Sequence, residues 1–300
     1  MDGPVPAVAD AERRGRGVPG TTWWVELGAA AAVAIAYLSS PRQSPSAALV
    51  AEAEANGRAV WDLEQRLGLD VEPALQDAAL RLGLPGAMNW LYGTLHFVVT
   101  AVTLVLLFRR RPGRYQCWRA GFVASSLLAF GVYRLWPVAP PRLLPDGGGS
   151  TVLADTLALH PTPWDFQSGP LSEVANHYAA MPSMHAGWAL FCALALGLGR
   201  SRRIRVALLG YPALTTVVIM ATGNHFLLDA LAGFAVVGLG MGAAVVGERC
   251  VLRRAGRSEA EVRSASAAAR ADQGGSGAGF AGAARGAGLL HAGRSLGDAA

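Results

Sequence analysis

The chain has 300 residues, 52% of them hydrophobic and only 16% charged, with a formal net charge of +5 and an isoelectric point near 9.6. A mean hydropathy of +0.31, with apolar residues gathered in blocks long enough to cross a bilayer, excludes an ordinary soluble domain and points to a polytopic membrane protein. All 26 basic residues are arginine; membrane topology accounts for their clusters, and no nucleic-acid motif accompanies them.

Residues 1–20 read as a cytoplasmic N-terminal segment containing Arg13, Arg14 and Arg16. Six spans are then predicted within residues 21–250, roughly Thr22 to Leu38, Met88 to Phe108, Cys117 to Trp136, Met184 to Leu198, Ile204 to Thr222, and Phe226 to Gly247. Arginine clusters precede the first span and follow the second, fourth and sixth, at residues 13–16, 109–114, 200–205 and 253–257. Under the positive-inside rule these are the cytoplasmic positions of a six-span chain. A cleaved secretory signal is the rival reading of the first span. Its removal would leave five spans and spoil the charge alternation.

Between the first two spans, Ala47 to Leu82 has helical character, with Val60, Leu63 and Leu67 forming an apolar stripe among Asp62, Glu64, Gln65 and Arg66. Pro73 is expected to interrupt it. The loop from Pro137 to Ala180, rich in Pro and Gly and including Asp146-Gly147-Gly148-Gly149, lies on the outer side and is a lid candidate. Residues 251–300 are low in large apolar side chains and read as a disordered cytoplasmic tail. Cys117, Cys192 and Cys250 lack metal-ligand spacing and form no disulfide framework.

Two stretches carry the chemistry: Met181-Pro182-Ser183-Met184-His185 and Asn224-His225-Phe226-Leu227-Leu228-Asp229, each at the junction of an apolar block and a polar loop. Ionisable groups beside hydrocarbon are costly, about 2.5–3.5 kcal/mol for an Asp at a helix centre, so a cluster of them is a candidate site. His185 and His225 are 40 residues apart, enough for two spans and a tight turn, so both face the same, extracytoplasmic boundary. Arg142 follows the third span on that side, and Arg134 lies within the span's outer end. Ser183 would cap the fourth span, where free amides and the helix dipole favour a phosphate. His225 and Asp229 share a helix face, so the carboxylate can orient one ring nitrogen while the other meets phosphorus. His185 suits the general acid, later the base, and the guanidiniums of Arg142 and Arg134 suit phosphate oxygens.

Pro182-Ser183-Met184-His185 followed by His225-x3-Asp229 resembles the second and third motifs of the type 2 phosphatidic acid phosphatase superfamily. Pro137-Val138-Ala139-Pro140-Pro141-Arg142 resembles the first motif of its inositol phosphorylceramide synthase-like branch. The resemblance implies an all-α membrane bundle acting on a lipid phosphate, with His225 as phosphohistidine nucleophile, Asp229 orienting it, His185 as acid then base, and Ser183 and Arg142 holding phosphate. It implies no metal or other cofactor, and a water or polyol acceptor. Four departures stand out: Arg134 lies eight residues before Arg142 in place of the family's Lys, Leu143 replaces a Pro, Val218 and Ile219 replace a Ser-Arg pair, and Met184 replaces a Gly. A catalytically silent membrane protein, with the polar cluster joining helices, is the alternative.

Overall fold

The computed structural model describes residues 23–38, 45–144, 153–163 and 176–283. The expected N-terminal segment, Asp146-Gly147-Gly148-Gly149 and residues 284–300 lie outside them. The chain forms two compact units, Met1–Val246 and Gly247–Ala300, and the site described below belongs wholly to the first.

Among the described residues the protein is all-helical, with a single isolated bridge between Val138 and Ala179. The order is α1 Trp23–Leu38, α2 Ala47–Leu67, α3 Glu72–Arg81, α4 Pro85–Arg110, α5 Pro112–Leu135, a 3-10 turn at Pro141–Leu143, α6 Thr156–Leu159, α7 Met184–Leu196, α8 Arg202–Leu208, α9 Gly210–Ala221 and α10 Leu227–Ala283. Pro85 and Pro112 begin α4 and α5, where a missing N–H costs nothing because the first amides of a helix have no internal partner.

Among the described residues three helical stretches are long and apolar enough to cross a membrane: Pro85–Arg110, Arg202–Ala221 (α8 running into α9) and Leu227–Arg253. Trp24–Tyr37 and Met184–Leu196 are apolar but shorter. On α4 the side chains of Val98, Val102 and Val105 are about half exposed, which suits a face toward hydrocarbon. α5 occupies the place of the remaining predicted span, but Arg114, Gln116, Arg119 and Arg134 make it more polar. The protein is therefore a helical membrane protein, and helices are found at all six apolar blocks.

The segment from Ala47 to Leu82 departs from expectation in two respects. Its break comes from Gly68, whose left-handed backbone (φ 66°) caps α2 and takes bonds back to Glu64 and Gln65. Pro73 sits in the first turn of α3 and helps start it. The buried face of α2 is Ala53, Gly57, Val60, Trp61 and Glu64, whereas Leu63 and Leu67 are exposed. A face that packs on a polar site needs polar residues inside, so the apolar stripe alone does not mark the buried side. At the other end, α10 continues to Ala283 through a stretch whose composition reads as a disordered tail. Runs of Ala with Glu and Arg have high helix propensity even without a core to pack against.

The start of α7 is pressed against α10 through glycine. A Cβ on Gly233 would lie 2.1 Å from the carbonyl oxygen of Ser183, while one on Gly238 would meet nothing within 4 Å. Close approach of helix backbones through small residues is a usual solution in membranes, where there is no water to drive association. Gly233→Ala is expected to destabilise the protein by about 1–3 kcal/mol, the usual cost of overpacking. Gly238→Ala is expected to leave stability within about 0.5 kcal/mol of the parent. Thermal unfolding in detergent compares the two; equal midpoints would show that the Ser183–Gly233 contact is not tight.

Candidate active site

Three chain segments meet at one end of the bundle. The loop after α5 is tied down by backbone bonds from Ala139 N–H to Ala53 (2.9 Å), from Val138 N–H to Tyr178 (2.8 Å) and from Arg142 N–H to Gly223 (3.1 Å). The approach to α7 contains a cis Met181–Pro182 bond, and its Pro182 carbonyl accepts from the Tyr133 hydroxyl at 2.6 Å. Between α9 and α10 the chain turns at Gly223, whose φ of 70° a side chain would strain. Asn224 and His225 follow directly.

His225 is buried (4% exposed). Its Nδ1 lies 2.8 Å from the Ala180 carbonyl and 3.3 Å from Asp229 Oδ2. A carbonyl only accepts, so Nδ1 carries a proton, and in the neutral ring the lone pair is then on Nε2. Asp229 is fully buried; its Oδ2 also accepts from the Phe226 amide at 2.9 Å, and its carbonyl accepts from the Ser183 amide at 2.8 Å. This last bond couples the two halves of the site.

The His185 ring stands 5.6 Å from that of His225, centroid to centroid. It stacks on Tyr92 at 4.2 Å and meets His96 at 4.0 Å. His96 Nδ1 donates to the Tyr92 carbonyl at 3.0 Å. Arg142 is oriented by two neighbours: Nε donates to Asn224 Oδ1 at 2.8 Å, and Nη1 pairs with Asp155 Oδ2 at 3.2 Å. Asp155 also accepts from the amides of Leu157 and Ala158, capping α6. His177 lies beside them, and its basicity is lowered, first by burial and then by the Arg142 charge.

His185, His225, Arg142, His177 and Asn224 all line one end of a cavity of about 870 Å³. Its walls are otherwise mostly apolar and include Val33, Phe97, Phe122, Phe130 and Trp188. At its other end lie Glu26, Tyr115 and Arg119, where Glu26 accepts from both of the others. Tyr115 and Tyr133 line it from the same helix, 18 residues apart, which at about 1.5 Å per residue makes the cavity roughly 27 Å long.

The remaining sequence candidates are placed differently. Ser183 is fully buried and absent from the cavity wall; its hydroxyl accepts from the Ala186 amide at 3.5 Å as the α7 cap. Arg134 is exposed and does not line the cavity, because it follows the inward-facing Tyr133 on α5. Of the two arginines, Arg142 alone lines the cavity with the two imidazoles. Val218 and Ile219 are buried, Ile219 in an apolar cluster with Ala186, Met220 and Ala230. No cation stands there in place of the arginine of the resembling motif. Among the described residues no group of three or more His, Cys, Asp or Glu is arranged to hold a metal ion.

Sequence reading missed two residues behind the site, Glu64 and Glu72. Both are fully buried. Glu72 Oε1 accepts from the Leu227 amide at 2.7 Å and Glu64 Oε1 from the Leu228 amide at 2.6 Å. Burial raises the pKa of both, with each other's charge adding to it for Glu64, which is pushed up to about 9.

A family model described as the PAP2 superfamily matches residues 58–243. Among solved structures, the crystal structure of Aquifex aeolicus LpxE is similar at 18% identity over 55% of this chain and 93% of its own, with a TM-score of 0.38. No curated protein matches the sequence.

Proposed function

The chain belongs to the PAP2 superfamily, and from that premise we propose that it is a membrane-embedded lipid phosphatase working through a phosphohistidine on His225. The observation that carries the proposal is the pairing of two imidazoles and one guanidinium at the head of a long apolar cavity. A phosphate ester held between His185, His225 and Arg142 would leave its lipid portion in that cavity, a volume within the range of ligand sites.

His225 Nε2 attacks phosphorus while the bond to the lipid oxygen breaks. Arg142 neutralises charge on the peripheral oxygens through forked hydrogen bonds. His185 gives a proton to the departing oxygen and then takes one from the incoming acceptor. Asp229 and the Ala180 carbonyl keep the proton on Nδ1 throughout. Ser183 contributes as the cap of α7, its hydroxyl accepting from the Ala186 amide. Arg134 has no part in these steps.

A six-span arrangement with the site at the extracytoplasmic face is supported by the helix directions. α7 starts at the site and ends before Arg200, and α4 and α5 meet at the arginines of residues 109–114. Every arginine cluster between residues 109 and 205 thus lies at the far end from His185. The cell membrane is the compartment this topology fits. Water is the default acceptor, and the proline-rich run Pro137–Arg142 is what favours a polyol and a phosphotransferase.

Purified protein given lipid monophosphates and pyrophosphates, with and without inositol or glycerol, is expected to release inorganic phosphate. A new phosphodiester in the polyol arm would assign a transferase. Neither product from any donor would leave the silent-protein reading in its place.

A further inference from the structure

Three successive amides at the head of α10 each donate to a different carboxylate: Phe226 to Asp229, Leu227 to Glu72 and Leu228 to Glu64. Glu64 and Glu72 come from separate helices, more than 150 residues away in sequence from the amides they accept. One carboxylate, that of Asp229, is already explained by His225. The other two have no place in the proposed chemistry; both are fully buried, and among the described residues no cation is paired with either.

Among the described residues the outer oxygens, Glu64 Oε2 and Glu72 Oε2, meet no hydrogen-bond donor, and neither does Asp229 Oδ1. Held on consecutive amides and both fully buried, these two carboxylates cannot both stay ionised, and one shared proton supplies the missing donor. The titratable groups acting on Glu64 and Glu72 are each other and Asp229, with the His225 imidazole beyond it. A helix N-terminus adds partial positive charge, which favours the ionised member.

We propose that Glu64 and Glu72 form an acid–carboxylate pair that positions the His225–Asp229 couple and places one further negative charge behind it. The inference rests on His225 as the nucleophile. When Nε2 forms its bond to phosphorus, the electron pair of the breaking P–O bond leaves with the lipid oxygen, which takes a proton from His185. The imidazole keeps its Nδ1 proton and becomes cationic. Asp229 balances that charge directly, and the ionised member of the pair balances it from the next layer, fixed through the amides of Leu227 and Leu228. Both are positioning residues, since neither lines the cavity.

The test compares Glu64→Gln, Glu72→Gln and the double variant in the full chain. In either single variant an amide takes the role of the protonated member, and one charge remains. Each is expected to lower kcat about threefold at unchanged KM, and the double variant, which has no charge left, about 100-fold, well beyond the product of the two. Additive losses, or a double variant at the parental rate, would overturn the proposal. Should the double variant not fold, infrared difference spectra at neutral pH decide: the parent shows one buried protonated carboxyl that disappears in either single variant, and its absence from the parent defeats the pair. His225→Ala serves as the control for the underlying reading. If that variant is active, the nucleophile assignment fails; if it is inactive while the double variant keeps the parental rate, only the present inference fails.

Discussion

His225→Ala is expected to abolish phosphate release, lowering kcat by a factor on the order of 10⁴ or more, about 5.5 kcal/mol of lost transition-state stabilisation. The magnitude follows from the role. A covalent route splits one difficult displacement into two easier ones, and His225 is the cavity-wall imidazole whose Nδ1 is held by a carboxylate and a carbonyl. His185 is 5.6 Å away, centroid to centroid, and is stacked against Tyr92. Removing the ring also leaves Asp229 buried with only the Phe226 amide as donor, so loss of activity by itself would be open to a folding explanation. His225→Asn settles the point, because its side-chain amide can still donate toward Ala180. It is expected to melt near the parent and to be equally inactive. Retention of more than a tenth of the parental rate in a folded variant would remove His225 from the mechanism.

His185→Ala carries the second large effect, about 10²–10⁴-fold in kcat, the usual range for a general acid–base group. The size should depend on the leaving group. An alkoxide departs poorly without a proton, whereas the phosphate released from a pyrophosphate is already stable as an anion. The variant should therefore lose far more rate on a lipid monophosphate than on a pyrophosphate of the same chain. The difference is read in kcat/KM, which reports the steps through departure of the leaving group and not the hydrolysis both substrates share; an equal loss in it on both would mean that His185 binds phosphate without protonating the leaving group.

The parts of the molecule that could be read from sequence are those set by local physics. Apolar blocks place helices from Trp23–Leu38 to α10, since an apolar run and its flanking arginines are properties of contiguous residues. His185 and His225 could be placed at one level by counting residues per span. Asp229 was visible from its spacing to His225. What escaped depends on neighbours distant in sequence. Glu64 looked like one more polar residue on a solvated helix face, and only the amide of Leu228, 164 residues on, gives it a reason to be buried. Arg134 and Arg142 both suit phosphate oxygens by position along the chain, the motif favouring Arg142, and the direction of each side chain separates them, one facing outward and one into the cavity. Ser183 has the composition of a phosphate cradle, yet the approach of Gly233 seals it inside as a cap. Asn224 stood within the quoted motif, but its use in steering Arg142 is a matter of tertiary geometry.

The most direct test is to catch the phosphoryl group on the enzyme. In His185→Ala, supplied with a lipid pyrophosphate, formation of the nitrogen–phosphorus bond proceeds while its hydrolysis lacks a base, so a covalent species accumulates. Rapid quenching at neutral to alkaline pH, followed by peptide mass spectrometry, should find an acid-labile phosphate on His225. Phosphate on any other residue, or release of product with inversion at phosphorus and no trapped species, would contradict the assignment of His225.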